Sequence, residues 1–288
     1  MVIQSTSSWV SFPRYAVLRF QGSDARSFLQ SQLTQDMRTL TAENAVCAAW
    51  LSVKGRVLAT MLLLEESSDS IIAITLSSGA EALFDQLKRF VLRSKVNISF
   101  PDLSVDARII DGQHTPWVLT RRQDVLGVSF GDRALKVVAD SSYPIADERF
   151  ASRWQLLGIR AQFPEIEPGA TDRFVPQALG LERWGGLSFQ KGCFPGQEIV
   201  ARLHYLGKHK RHLVALRSDQ ILALEPGAPL YQIEHEERDS VGEVLLSATT
   251  DAGTHVLAVL KAGVDVPLTA FPFSDQSAVT LHNALVAA

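Results

Sequence analysis

Two cysteines, Cys47 and Cys193, with no CxxC spacing, leave no disulfide framework and no all-protein zinc or iron–sulfur cage. Long apolar runs are missing too. The longest, Val57 to Leu64 (VLATMLLL), falls far short of the ~20 residues that span a bilayer, so no membrane partner is expected. Neither charge sign dominates: 28 Lys and Arg stand against 31 Asp and Glu, a net charge of -3, so any nucleic-acid contact must come from a local patch. Residues 1–13 hold no cation and no apolar h-region, unlike a secretory signal, and the expected compartment is the reducing cytoplasm. Internal repeats, low-complexity tracts and heptads are absent. What is present is ordinary globular composition, 46% hydrophobic and 20% charged over 288 residues, which suits about two domains.

Tyr15–Phe20 alternates like a strand, and Ser23 or Asp24 is placed to cap a helix over Ala25–Leu33. Ala45–Leu51 and Arg56–Leu64 read as strands joined at the turn Ser52-Val53-Lys54-Gly55. Ser70–Leu76 is a third strand, Gly79–Val91 has helical spacing, and Val96–Phe100 is a further strand. This order predicts an α+β unit with helix packed on antiparallel sheet. From Val105 to about Arg149, short strand-like runs alternate with turn residues. Ser152–Ile159 reads as helix and Phe163–Pro176 as a long ordered loop. Past Leu206 come short strands at Leu213–Leu216, Leu230–Ile233, Val241–Leu246 and His255–Lys261, the pattern of a small β-barrel or sandwich. The expected division is therefore 1–205 and 206–288.

The segment most suited to chemistry is Lys191-Gly192-Cys193-Phe194-Pro195-Gly196-Gln197-Glu198. It sets a thiol near a lysine, between glycines, ahead of a helix beginning at Gln197. A cation and a helix end both stabilise a thiolate. Gly192 and Gly196 either admit a ligand to the backbone or serve a turn of positive φ. Glu198 suits the first turn of a helix as well as it suits catalysis. Cys47, among Val46, Ala48, Ala49 and Trp50, reads as core. Arg202–His212 carries Arg202, Lys208, Lys210 and Arg211 with His204, His209 and His212 and no acid, a field suited to a polyanion such as polyglutamyl folate or tRNA. Trp154 is either core or a flat face for a pterin or base.

Lys191–Glu198 followed by Ile199-Val200-Ala201-Arg202 resembles the K-G-C-[FY]-x-G-Q-E-x-x-A-R signature of the YgfZ family of folate-binding proteins. The resemblance extends to Phe174-Val175-Pro176-Gln177 and Gly185-Gly186-Leu187-Ser188-Phe189. At the amino end it takes in Gly22-Ser23-Asp24, Phe28 through Asp36 (FLQSQLTQD) and Lys54-Gly55. It implies a fold like the glycine-cleavage T-protein, an aminomethyltransferase: interlocked α+β lobes with a ferredoxin-like unit, then a carboxy-terminal β-barrel. It further implies an accessory protein for assembly or repair of iron–sulfur enzymes, including those that thiomethylate tRNA. Tetrahydrofolate or a derivative is the implied cofactor. By similarity Cys193 is the working thiol with Lys191 and Arg202 lining its pocket. Trp154 and Tyr15 fall at folate-contact positions, and Gly192, Gly196, Gln197 and Glu198 complete the site. No metal site is implied.

Two departures stand out. T-proteins carry a catalytic aspartate in a strand whose counterpart here is Gly55-Arg56-Val57-Leu58-Ala59-Thr60, without an acid. A general acid–base step then lacks its residue, which disfavours the alternative reading as a tetrahydrofolate-dependent one-carbon (aminomethyl) transferase or demethylase, and no conventional turnover is expected. The acid that contacts the pterin in T-proteins is Arg160 here, and a guanidinium cannot accept the pterin's N–H donors.

Overall fold

The computed structural model describes residues 8–122, 125–207, 210–234, 237–264, 266–270 and 279–283. They form two compact units, Met1–Ala146 with Gly185–Gln197, and Asp147–Trp184 with Glu198–Ala288.

The first unit contains β1 (Val10–Ser11), β2 (Tyr15–Gln21), α1 (Ala25–Gln32), β3 (Val46–Leu51), β4 (Val57–Ser67), β5 (Ser70–Leu76), α2 (Ser77–Lys88), β6 (Asn97–Ser99), β7 (Ser104–Arg122) and β8 (Val125–Val138). Five strands make an antiparallel sheet in the order β3-β4-β5-β2-β6. β3 (VCAAWL) and β5 (SIIAITL) are buried at every position, which is why they read as continuous apolar runs. Phe28 and Leu29 of α1 and Leu83 and Leu87 of α2 share one core with Leu18, Phe20, Trp50 and Leu63 of the sheet. Burying each such side chain stabilises the unit by about 1.5–3 kcal/mol. The expected helix-on-sheet unit is present.

Details differ. Asp24 precedes α1 without a side-chain capping bond; its carboxylate instead accepts the Lys95 N–H at 2.7 Å. The short runs expected past Val105 are one long hairpin, β7 with β8, which pairs with β1 as a second, three-stranded sheet. The hairpin's register shifts between Ile109 and His114 and again before Val118, and these irregularities break the sequence alternation. Its buried Asp106 lies 3.3 Å from the cross-strand Lys136 ammonium and accepts the Ser141 hydroxyl at 2.6 Å.

The second unit contains α3 (Glu148–Arg160), nearly all of α4 (Gln197–Leu206), β9 (Arg211–Ser218), β10 (Pro229–Glu234), β11 (Glu237–Thr250), β12 (Gly253–Lys261), β13 (Leu268–Ala270) and β14 (Val279–Asn283). The six strands close into a barrel in the order β10-β11-β12-β9-β14-β13. Leu216, Leu230, Val244, Val256, Leu268 and Leu281 fill its interior. The Asp147 carboxylate caps α3 by accepting the Phe150 N–H at 2.8 Å, and α3 packs on β11 and β12. Because the unit that holds the barrel also takes in 147–184, the compact units do not follow the expected 1–205 and 206–288 division.

Candidate functional site

The cysteine segment as far as Gln197 belongs to the first unit, where two stretches about 150 residues apart in sequence are stitched together. The Thr34 hydroxyl donates to the Gly186 carbonyl at 2.6 Å and accepts the Ala49 N–H at 2.9 Å, while the Ser188 N–H reaches the Thr34 carbonyl at 3.0 Å. The Gln35 amide donates to the Gly185 carbonyl, and the Arg38 guanidinium to the Gln190 carbonyl at 3.1 Å. Arg38 is itself held by Asp36, whose carboxylate accepts Arg38 N–H groups from both backbone and side chain. The guanidinium beside Asp36 holds its pKa down at about 2.

Lys191 closes the network. Its Nζ donates to the carbonyls of Gln30 (2.6 Å) in the last turn of α1, of its C-cap Leu33 (2.5 Å) and of Gln35 (3.0 Å) just beyond. It also lies 5.2 Å from the centre of the Phe194 ring. Burial pushes the ammonium down to about 8, opposed by the charge of Asp36. With its three N–H groups all given to carbonyls, Lys191 has none left for the thiol. The sequence places a cation near Cys193, and the structure assigns that cation to anchoring the loop on α1.

The glycines part company. Gly196 has φ +75°, and a β-carbon there would lie 2.5 Å from the Ser52 carbonyl oxygen and 2.6 Å from the Gly55 α-carbon. The loop thus rests directly on the β3–β4 turn that carries Lys54-Gly55. Gly192 has neither a positive φ nor a neighbour within 4 Å of such a β-carbon, so neither backbone strain nor crowding requires glycine there. Between them Cys193 is an exposed, free thiol, whereas Cys47 is buried and its thiol is pushed up to about 12 by that burial. α4 starts at Gln197, four residues past Cys193, and the Gln197 N–H bonds the Phe194 carbonyl at 3.1 Å.

Tyr15 also lies in the first unit, on β2. It is 9% exposed and set edge-on to Phe12 at 5.7 Å. Trp154, Glu198 and Arg202 fall in the second unit. Glu198 and Arg202 are exposed on α4, which Gln177 pins by donating to the Val200 carbonyl at 2.8 Å. Trp154 has no exposed surface and stacks on Phe150 at 6.0 Å, so its face is covered by protein, the core alternative of the two readings. Arg160 is exposed at the end of α3, and its charge bears on His255 of β12. In the basic run, Arg202, His204, Lys210, Arg211 and His212 are described, whereas Lys208 and His209 lie outside the described residues. His204 Nδ1 sits 3.6 Å from Glu182, and Arg211 lies 3.3 Å from Glu243, so the Arg211 part of that field is neutralised. Among the described residues no cluster of His, Cys, Asp and Glu could hold a metal ion, and no helix is long and apolar enough to cross a membrane.

Sequence reading missed Thr34, Gln35, Arg38 and Asp36 as loop anchors. For Thr34, Gln35 and Asp36 the signal lay in the FLQSQLTQD motif, which keeps polar residues past the end of α1 at Gln32; Arg38 lies just beyond it.

No family model matches the chain. It is 26% identical to the tRNA-modifying protein YgfZ of Colwellia psychrerythraea, over 94% of this chain and 90% of that protein. It is likewise 26% identical to the protein of that name from an Escherichia coli strain, over 95% and 90%. A Haemophilus influenzae protein described as uncharacterized is 27% identical over 90% and 91%. Among solved structures, the glycine cleavage system aminomethyltransferase T of Bartonella henselae superposes with a TM-score of 0.70 over 97% of this chain and 85% of that one, at 13% identity. Over nearly its whole length, then, the chain is similar to the tRNA-modifying YgfZ proteins, and it has the fold of an aminomethyltransferase T.

Proposed function

We propose that this chain is an accessory protein of iron–sulfur enzymes that modify tRNA, and that Cys193 is the group through which it acts. The observation that supports this is the exposed Cys193 thiol on a loop fastened at both ends, by Lys191 to α1 and by Gly196 to the β3–β4 turn. Cysteines kept for packing are buried, as Cys47 is. An accessible sulfur on an ordered support suits thiolate chemistry, as a soft ligand to iron or a nucleophile toward sulfur. The tRNA element comes from the naming of the relatives, and the iron–sulfur element from the motif resemblance.

The resemblance also implies a tetrahydrofolate. The aromatic residues it assigns do not fit a stacking role: Trp154 is sealed beneath its own packing and Tyr15 nearly so, and Arg160 replaces an acceptor by a donor. Nor does the start of β4, Val57–Thr60, offer a carboxylate for aminomethyl transfer. Ala59 and Thr60 occupy that stretch, and the Thr60 carbonyl accepts the Thr75 hydroxyl at 3.0 Å.

The test is rescue of tRNA thiomethylation in cells that lack their own protein of this kind. The native chain is expected to restore it and Cys193→Ser to fail at equal abundance. Full rescue by Cys193→Ser would remove the thiol from the reading. One-carbon transfer from an aminomethyl donor to tetrahydrofolate by the purified chain would replace it with an enzymatic one.

A further inference from the structure

Lys88 to Lys95 (KRFVLRSK) holds four cations and no acid in eight residues. It is the last residue of α2 and the turn into β6, within the first unit. Lys88, Arg89, Arg93 and Lys95 are all exposed, and none makes an ion pair among the described residues. The helix end accounts for a cation at Lys88 or Arg89, which favours the carbonyl pole. It does not account for Arg93 and Lys95, which lie beyond the last turn. Asp85 and Glu81, one and two turns back on α2, are the acids of this helix, and both are exposed.

Apolar side chains are displayed among these charges. Leu92 is 84% exposed, Phe90 46% and Phe100 44%. The Phe90 ring stands edge-on to Trp50 at 6.1 Å, and Phe100 lies 5.1 Å from Phe84, over which the Lys88 ammonium sits at 5.4 Å. Each half-exposed ring is therefore braced from below by another ring and open above. The turn is fixed as well: Asp24 accepts the Lys95 N–H, and the Asp24 N–H donates back to the Lys95 carbonyl at 3.2 Å. Unpaired cations beside braced, half-open rings are the two requirements for holding an RNA strand, phosphates on the cations and bases on the rings.

We infer that the α2–β6 corner, with Lys88, Arg89, Arg93 and Lys95 around Phe90 and Phe100, is a binding surface for a single-stranded segment of RNA. This rests on the reading of the chain as a tRNA-modification protein and names the surface that meets the RNA. It lies outside the basic run Arg202–His212.

The full chain is titrated by fluorescence anisotropy with an unmodified tRNA transcript and with an oligouridylate of about 12 nucleotides, from about 50 to about 200 mM salt. Replacing all four cations by serine is expected to flatten the slope of log K against log salt by about 3. Phe90→Ala with Phe100→Ala is expected to weaken binding about tenfold at fixed salt and leave the slope alone. RNA binding that survives replacement of all four cations overturns the surface, as does failure of the native chain to bind either RNA at low salt. Preference for phosphatidylglycerol vesicles over RNA also overturns it. Cys193→Ser is titrated alongside. Unchanged RNA affinity in that variant, set against its rescue of thiomethylation, separates failure of the surface from failure of the thiol.

Discussion

Gly196 rests on Gly55 backbone to backbone, so close that a β-carbon on Gly196 would lie 2.6 Å from the Gly55 α-carbon. The contact joins the cysteine loop to the β3–β4 turn, and Gly196 meets it at φ +75°. Gly196→Ala must open the contact and strain the backbone, a cost of about 1–3 kcal/mol for the conformation alone. Urea unfolding is expected to show at least that loss, whereas Gly192→Ala, with nothing within 4 Å, is expected to stay within about 0.5 kcal/mol of the native chain. Equal effects of the two substitutions would show that the loop is not seated on the turn.

Lys191 is the second fastening. Lys191→Met keeps the aliphatic stem and removes three hydrogen bonds to the end of α1 and the residues just past it. Losing charged bonds to carbonyls left partly buried is expected to cost about 2–4 kcal/mol. Limited proteolysis is expected to cut near residue 191 in this variant first. A chain that keeps native stability and resistance would assign Lys191 to the thiol after all.

Much of the frame was legible from the sequence, and the reasons are local. The Ser52–Gly55 turn, the burial of Ser70–Leu76 and the short runs past Leu206 each carry their signal in adjacent residues, so the sheet and the barrel could be read. The octapeptide could be read as a site for the same reason. The use of Lys191 could not. Its partners are main-chain carbonyls about 160 residues away, and a carbonyl carries no side-chain signature. The β7–β8 hairpin was hidden by Pro116, Gly112 and the register shifts that accommodate such residues. The sequence left Trp154 as either core or a ligand face; its stacking partner Phe150 sits one turn earlier, at a spacing that places two rings together.

The Asp36–Arg38 pair ties acid stability to the loop. Asp36 falls from 3.8 to about 2 because Arg38 bonds its carboxylate. The folded pKa is the lower one, so on acidification the unfolded chain takes up the proton first. The contribution of the pair is complete above about pH 4 and is lost as pH falls toward 2. Arg38 is largely exposed, so solvent screens the pair and the loss is smaller than the shift alone implies. Asp36→Asn is expected to be less stable than the native chain at pH 6 and to lose less stability between pH 4 and 2, as followed by thermal unfolding. Parallel pH profiles would detach Asp36 from this role.

The two thiols differ in access. Cys193 is exposed and Cys47 is 1% exposed with its thiol pushed up to about 12. Iodoacetamide on the native protein at pH 8 is expected to add one carbamidomethyl group, located at Cys193 by peptide mass, and a second only after denaturation. Early labelling of Cys47 would mean that the β3 core opens readily.

Trp154 separates packing from ligand contact. With no exposed surface and Phe150 against its face, Trp154→Ala removes a large ring from beneath α3 and is expected to cost about 3–5 kcal/mol. Trp154→Phe keeps much of the volume and is expected to cost far less. A pterin stacked on this indole would have to displace Phe150. Titration of tetrahydrofolate is therefore expected to change tryptophan fluorescence alike in the native chain and in Trp154→Phe. Quenching that disappears with Trp154 would place a ligand on that ring, and Phe150→Ala would then be expected to tighten folate binding by uncovering the face that Phe150 now covers.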